Sequence, residues 1–145
     1  MKLTKATKEE FEEYSTLKKN EVIEYEKLIG LKIPYSKKEC KQEFLKVLKS
    51  KKDYLILAKE NKKIMGFIQM SIEKNKAEID YLYVSKENRK KGIAKELIKK
   101  STKLAKSKKA NNLFLKVNAK NKNALALYER LNFKITNYIM KKEIK

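Results

Sequence analysis

Arg89-Lys90-Lys91-Gly92-Ile93-Ala94 is the run whose residue types and spacing point most directly to chemistry. Three cations precede a glycine, which has no side chain to hold a ligand off the backbone, and Ala94 is nearly as small. If a helix starts here, its first N–H groups lack intrahelical partners and carry the positive end of its dipole, so an anion binds readily. We read the run as a pyrophosphate cradle, in which the position of Lys90 and Lys91 beside Gly92 favours phosphate contact over plain surface charge. The pattern Arg-x-x-Gly-x-Ala lacks the Gly-Lys-Ser/Thr of a nucleoside triphosphatase loop and the three glycines of a dinucleotide fingerprint, which excludes both.

The elements that must position the cradle are legible on either side of it. Ile79-Asp80-Tyr81-Leu82-Tyr83-Val84 alternates as a half-buried strand does, and Ile93, Leu97, Ile98 and Leu104 share one face of a helix predicted from about Lys91 to Lys106. A polar turn joins them. Strand, turn and helix start together put bare amides where the cations cluster.

Ala77 to Ser85 followed by Arg89-x-x-Gly92-x-Ala94 resembles the acetyl-coenzyme A signature of the GNAT N-acetyltransferases, Arg/Gln-x-x-Gly-x-Gly/Ala. About thirty residues on, Asn121-x-x-Ala124-x-x-Leu127-Tyr128-Glu129-x-Leu131-Asn132-Phe133 resembles the family's block Asn-x-x-Ala-x-x-Leu-Tyr-Glu-x-x-Gly-Phe. The resemblance covers nearly the whole chain. It implies acetyl-coenzyme A as cosubstrate, an amine acceptor and no metal. It places the cofactor along Leu82, Tyr83 and Val84, at Arg89, Lys90, Lys91, Gly92, Ile93, Ala94 and Lys95, and at Asn121, Ala124 and Tyr128. The amide contacts fall on the backbones of Leu82 and Val84, by strand addition at a point where two neighbouring strands splay apart. Ala94 in place of the second glycine is a common variant. Asn132 departs from the family's glycine at a helix end, where asparagine is the next best residue at positive φ.

Acylating an amine requires a neutral nucleophile, stabilisation of the thioester oxygen and a proton for the departing thiolate. An amine with a pKa of about 10.4 is mostly protonated at neutral pH, so a base or a water chain must take its proton. The family's general acid is the tyrosine of Leu-Tyr-Glu, which falls on Tyr128. Its ordinary pKa near 10 lies above the ~8.5 of a thiol, so it can protonate the thiolate and be restored. Core packing is the competing explanation, because Ala124, Tyr128 and Leu131 share a helix face. Glu78, six residues before Val84, stands where some lysine-acetylating relatives carry a catalytic glutamate, and it is the expected base. Asp80 is the alternative if the strand is regular, and a solvated face would account for either carboxylate. Lys116 occupies the place where other relatives have a glutamate, which counts against the subgroup that modifies protein N-termini. Asn121 either touches the cofactor arm or caps a helix.

Composition narrows the field further. The chain has 145 residues, which fits one domain spanning 1–145. Its 38 Lys and Arg against 18 Asp and Glu give a net charge of +20, and its pI is about 9.8. Charge of that size invites nucleic acid or an anionic surface. Here abundant lysine, asparagine, isoleucine and tyrosine accompany almost no tryptophan, histidine or proline, which reads as compositional bias with mostly solvated lysines. No aromatic-interleaved basic motif or recognition helix suggests specific nucleic-acid binding. Cys40 is the only cysteine and histidine is absent, which excludes an internal disulfide, a Cys-His pair, a Ser-His-Asp triad and the usual zinc sites. No long apolar run or signal-peptide core is present, so a cytoplasmic protein without a membrane partner is expected. A homodimer is compatible with the sequence.

Taken in order, Lys2 to Ala6 predicts a strand, and Thr7-x-x-Glu10 a capping box for a helix that could break near Asn20 and must end by Gly30. Ser36-x-x-Glu39 opens a second helix. Tyr54–Ala58, Ile64–Met70 and Ala77–Val84 predict a three-stranded antiparallel meander. After the cradle helix come a strand at Asn112–Val117, a helix at Asn121–Asn132 and a strand at Phe133–Lys141 that closes the sheet. The expected class is α+β, a GNAT fold whose mixed, mostly antiparallel sheet has splayed middle strands and about four flanking helices. The acceptor would be set by Glu21–Lys49, by the loop around Pro34 with Tyr25 and Tyr35, and by the tail from Lys134. A coenzyme A binding or sensing module without turnover is the alternative function.

Overall fold

In the computed structural model, which describes all 145 residues, five strands form one sheet in the order β1-β2-β3-β4-β5. The strands are β1 (Lys2–Lys5), β2 (Asp53–Glu60), β3 (Lys63–Glu73), β4 (Lys76–Val84) and β5 (Asn112–Leu115). The helices are α1 (Phe11–Ile29), α2 (Lys37–Lys49), α3 (Ile93–Ser107) and α4 (Lys122–Arg130). β1 to β4 pair antiparallel and β5 runs parallel to β4, the direction that a crossover through α3 imposes.

Local sequence chemistry accounts for most of the boundaries. The Thr7 N–H donates to Glu10 Oε1 at 2.9 Å, and the box starts a 3-10 turn at Lys8–Glu10 that runs straight into α1. Gly30, at φ 73, ends that helix, and Ser36 caps α2 by accepting the Glu39 N–H at 3.3 Å. The break expected near Asn20 does not occur. Asn20 is exposed, and the apolar stripe of Phe11, Tyr14 and Leu17 holds α1 to the sheet.

Strand alternation divides the core between the two faces of the sheet. On one face Leu55, Leu57, Phe67 and Tyr83 meet Phe11, Tyr14 and Phe44 of α1 and α2, with Tyr14 and Phe67 ring centroids 5.0 Å apart. On the other, Ile56, Ile68, Ile79 and Val84 meet Ile93, Leu97 and Ile98 of α3, and Tyr128, Leu131 and Phe133 pack against the edge of that cluster.

One irregularity shapes the site. The β3–β4 register steps from Gln69↔Tyr81 to Met70↔Ile79, which leaves Asp80 as the extra residue of a β-bulge. A bulge bends its strand. β4 accordingly pairs with β5 only along Lys76–Ile79, and the two part beyond it. The expected splay is therefore present, but it lies beside the sheet's last strand rather than in its middle.

Three expectations need correction. The cradle helix begins at Ile93 instead of Lys91, and β5 ends at Leu115, short of Val117, because the splay removes its partner. Phe133–Lys141 forms no strand: residues 134–145 are exposed and make no backbone hydrogen bond. Its β-rich composition pairs with no strand of its own chain.

Gly66 holds β3 against the end of β4. A Cβ there would lie 2.6 Å from the Tyr83 carbonyl oxygen and 3.2 Å from Val84 Cα. Gly66→Ala is expected to cost about 1–3 kcal/mol by overpacking, read as a lowered denaturation midpoint. An unchanged midpoint would mean that the strand end yields freely.

Candidate active site

The cradle has the geometry that anion binding requires. Gly92 is the N-cap of α3 at φ 82, and a Cβ built on it meets nothing within 4 Å. Lys90 also has a positive φ of 62, so the loop turns sharply before the helix. The first helical bond runs from the Glu96 N–H to the Gly92 carbonyl at 3.1 Å, which leaves the amides of Ile93, Ala94 and Lys95 without helical acceptors. Lys90, Lys91 and Lys95 are exposed around them. Ile93 is buried and anchors the helix, and Ala94 is half-buried with its small side chain against the core.

Arg89 is occupied differently. Its Nε donates to the Val84 carbonyl at 2.8 Å, and its guanidinium pairs with Glu24 Oε1 of α1 at 2.7 Å. The Tyr83 hydroxyl donates to the other Glu24 oxygen, and the guanidinium lies 5.4 Å from the Tyr83 ring centroid. Burial first, then the bond to Glu24, pushes the Tyr83 phenol well above its usual value. Tyr83 and Arg89 thus pin the cradle loop to α1, and the free cations at the helix start are the lysines. Glu24 carries no motif, and its partner lies 65 residues away, so no local signal could have found it.

The open edge of β4 comes next to the cradle. The Ser85 N–H bonds the Met65 carbonyl of β3 at 2.9 Å. Strand alternation then turns the N–H and C=O groups of Leu82 and Val84 to the opposite side, where β5 has already parted from β4. These are the two backbones on which the cofactor arm was expected. The Val84 carbonyl is already used by Arg89, which leaves its N–H and both Leu82 groups facing the gap.

α4 stands beyond the gap. Asn121 caps it, its Oδ1 accepting the Ala124 N–H at 3.1 Å. Tyr128 is half-buried, with its ring 5.8 Å edge-on from Phe133. Burial, then the charge of Glu21, holds its phenol above the ordinary value, and no hydrogen bond contributes. The ring therefore packs into the core while the hydroxyl keeps its proton. Asn132 ends the segment at φ 70, the left-handed position that its departure from glycine implied.

Glu78 is half-buried, with only the exposed Lys116 ammonium 3.9 Å away. Burial and the neighbouring Glu78 raise the Asp80 carboxyl above its usual range, and the bulge breaks the regular alternation that would have aligned the two. The sequence missed Glu21 of α1. Its carboxylate pairs with Lys18 at 2.6 Å, and Lys18 lies 3.2 Å from the centroid of the Tyr81 ring. Burial raises Glu21, and its charge is felt by both Tyr81 and Tyr128. Tyr81 also feels Asp80 and Glu43, so three carboxylates, with Lys18 among them, surround this ring. Tyr35 packs against α1, its hydroxyl 3.4 Å from the Ser15 carbonyl and its phenol pushed up to about 12 by burial and Cys40, whereas Tyr25 is exposed.

A cavity of about 420 Å³ opens between α1 and the end of β4, lined among others by Glu24, Tyr83 and Lys86. It touches neither Gly92 nor Tyr128. The candidate site is the β4–β5 gap instead, beside the open edge of β4 and the free amides and lysines at the start of α3.

Comparison with known proteins bears on this arrangement. Residues 9–133 match the acetyltransferase (GNAT) family. No curated protein matches the sequence. Among solved structures, a PaiA N-acetyltransferase from Thermoplasma acidophilum in complex with coenzyme A superposes with a TM-score of 0.82 at 23% identity, covering 95% of this chain and 92% of that one. An aminoglycoside 6'-N-acetyltransferase from Acinetobacter haemolyticus gives 0.80 at 18% identity over 100% and 99%. A transcriptional regulator from Bacillus halodurans gives 0.82 at 21% identity over 99% of each chain. At these identities the superpositions speak for the fold, and the family match carries the assignment. The chain belongs to the GNAT family and is an acetyl-coenzyme A-dependent acyltransferase.

Proposed function

We propose that this protein transfers acetyl from acetyl-coenzyme A to a primary amine of a small molecule, protein or peptide, directly within a ternary complex. It would act as a single domain of residues 1–145, in the cytoplasm, as a homodimer, without a metal. The observation that supports this most is the run of unpaired α3 amides after the open Leu82–Val84 edge, with Tyr128 packed against the same core cluster.

The residues would divide the work as follows. The α3 amides, Lys90, Lys91 and Lys95 hold the diphosphate, and the Leu82 and Val84 edge pairs with the amides of the arm. Asn121 and Ala124 border the arm from α4. The amine attacks the thioester carbon, and backbone donors stabilise the charge on oxygen. As the C–S bond breaks, Tyr128 gives its proton to the thiolate. Glu78 takes the proton of the attacking nitrogen and returns it, through water, to the Tyr128 phenolate. Glu21 is a second candidate for that base, because its buried carboxylate acts on Tyr128 across the gap. The carboxylates around Tyr81 suit an ammonium-bearing acceptor despite the net charge of +20.

Free thiol release from acetyl-coenzyme A, followed over a panel of amines, amino acids and peptides, is the test. Turnover with one acceptor class is expected. Tight coenzyme A binding with no turnover across the panel would favour a silent binding module. Glu78→Gln and Glu21→Gln then separate the bases: the true one loses about 10²-fold or more in kcat, while the other retains most of it.

A further inference from the structure

Residues 134–145 leave α4 and pair with no strand. Asn132 turns the chain, the Phe133 N–H closes on the Tyr128 carbonyl at 3.0 Å, and no backbone hydrogen bond follows. The composition is nevertheless that of a strand covered on both faces. Ile135 is 51% exposed, and the uninterrupted run Tyr138-Ile139-Met140 is 82%, 94% and 92% exposed. Extended apolar chain of this kind in water is a template for pairing.

A free edge of the matching kind exists in the sheet, although the tail of the same chain does not pair with it. β5 is the last strand of the sheet and pairs with β4 on one side only, so its outer row of N–H and C=O groups is open. Phe114, at 37% exposure, stands on it. The tail does not return to that edge in its own chain. We infer that it adds as a strand to the outer edge of β5 in a second copy, and that two copies exchange tails about a two-fold axis.

Symmetry supports a closed pair, since one operation satisfies both tails and both edges and leaves nothing to propagate. Reach is sufficient: at ~3.3 Å per residue the tail spans about 40 Å, while β5 needs about 13 Å. Lys134, Lys141, Lys142 and Lys145 oppose the approach, but a screening length of about 8 Å at physiological salt keeps that repulsion local. Exchange would also move the β4–β5 gap from beside the sheet's edge into its interior, with the partner's tail bordering the far side of β5. The inference rests on the tail and the edge, not on the acetyl-transfer reading.

The experiment uses the 145-residue chain. Light scattering at micromolar concentration should give the mass of two copies, and Ile139→Pro, which removes a strand donor from an exposed segment, should give one copy that remains folded. In a Cys40→Ser background, co-expressed chains with different tags carry Phe114→Cys in one and a single tail cysteine, placed in turn at 135 to 140, in the other. At least one tail position should form a disulfide joining the two tags. A monomeric unaltered chain, a dimer that survives Ile139→Pro, or no tail position whose disulfide joins the two tags would each overturn the exchange. None of these outcomes depends on whether acetyl transfer is observed.

Discussion

Tyr128→Phe should bind coenzyme A as the unaltered protein does and lose about 10²–10⁴-fold in the rate of thiol release. The separation follows from the site. The ring fills the edge of the α3-side core and meets Phe133 at 5.8 Å, and phenylalanine keeps both contacts. The hydroxyl gains nothing from a hydrogen bond within the protein, so its removal should leave the melt within about 0.5 kcal/mol. What disappears is the proton donor. The sign of the pH dependence follows from the same groups: burial and the Glu21 charge raise the Tyr128 pKa, so the acid form persists through neutral pH and the rate declines only above the ordinary phenol range. If Glu21 is the base, its raised carboxyl pKa moves the rising limb upward, because only the ionised form accepts a proton. Full activity in Tyr128→Phe would leave this tyrosine a packing residue and nothing more.

Gly92→Glu should weaken coenzyme A binding by about 100-fold or more, equivalent to roughly 2.7 kcal/mol. Steric exclusion by the protein is not the cause, since a Cβ at this position faces open space. Two other effects act together. A non-glycine residue at φ 82 costs about 1–2 kcal/mol in the left-handed region, and a carboxylate sits where the diphosphate must approach the α3 amides. The same carboxylate favours the helix dipole by about 0.3–1 kcal/mol, so stability falls less than affinity. Gly92→Ala isolates the strain, and calorimetry should give a loss several-fold smaller than for the glutamate. Equal affinity in all three proteins would remove the cradle from the cofactor site.

Features set by neighbours in the chain were legible in the sequence. The Thr7–Glu10 box, the Gly30 and Asn132 helix ends and the Asn121 cap all appear as written, because each is a contest among residues within one turn. Alternation likewise marked the meander. What only the tertiary structure decided are matters of partners distant in sequence. Glu24 reaches Arg89 across 65 residues, Asp80 becomes the bulge only through the register that β3 imposes, and Glu21 meets the Tyr128 environment only once α1 and α4 flank the same gap. The tail from Lys134 is the sharpest case. Its residues state a strand, but a strand exists only where another edge accepts its hydrogen bonds, and the tail meets no edge of its own chain.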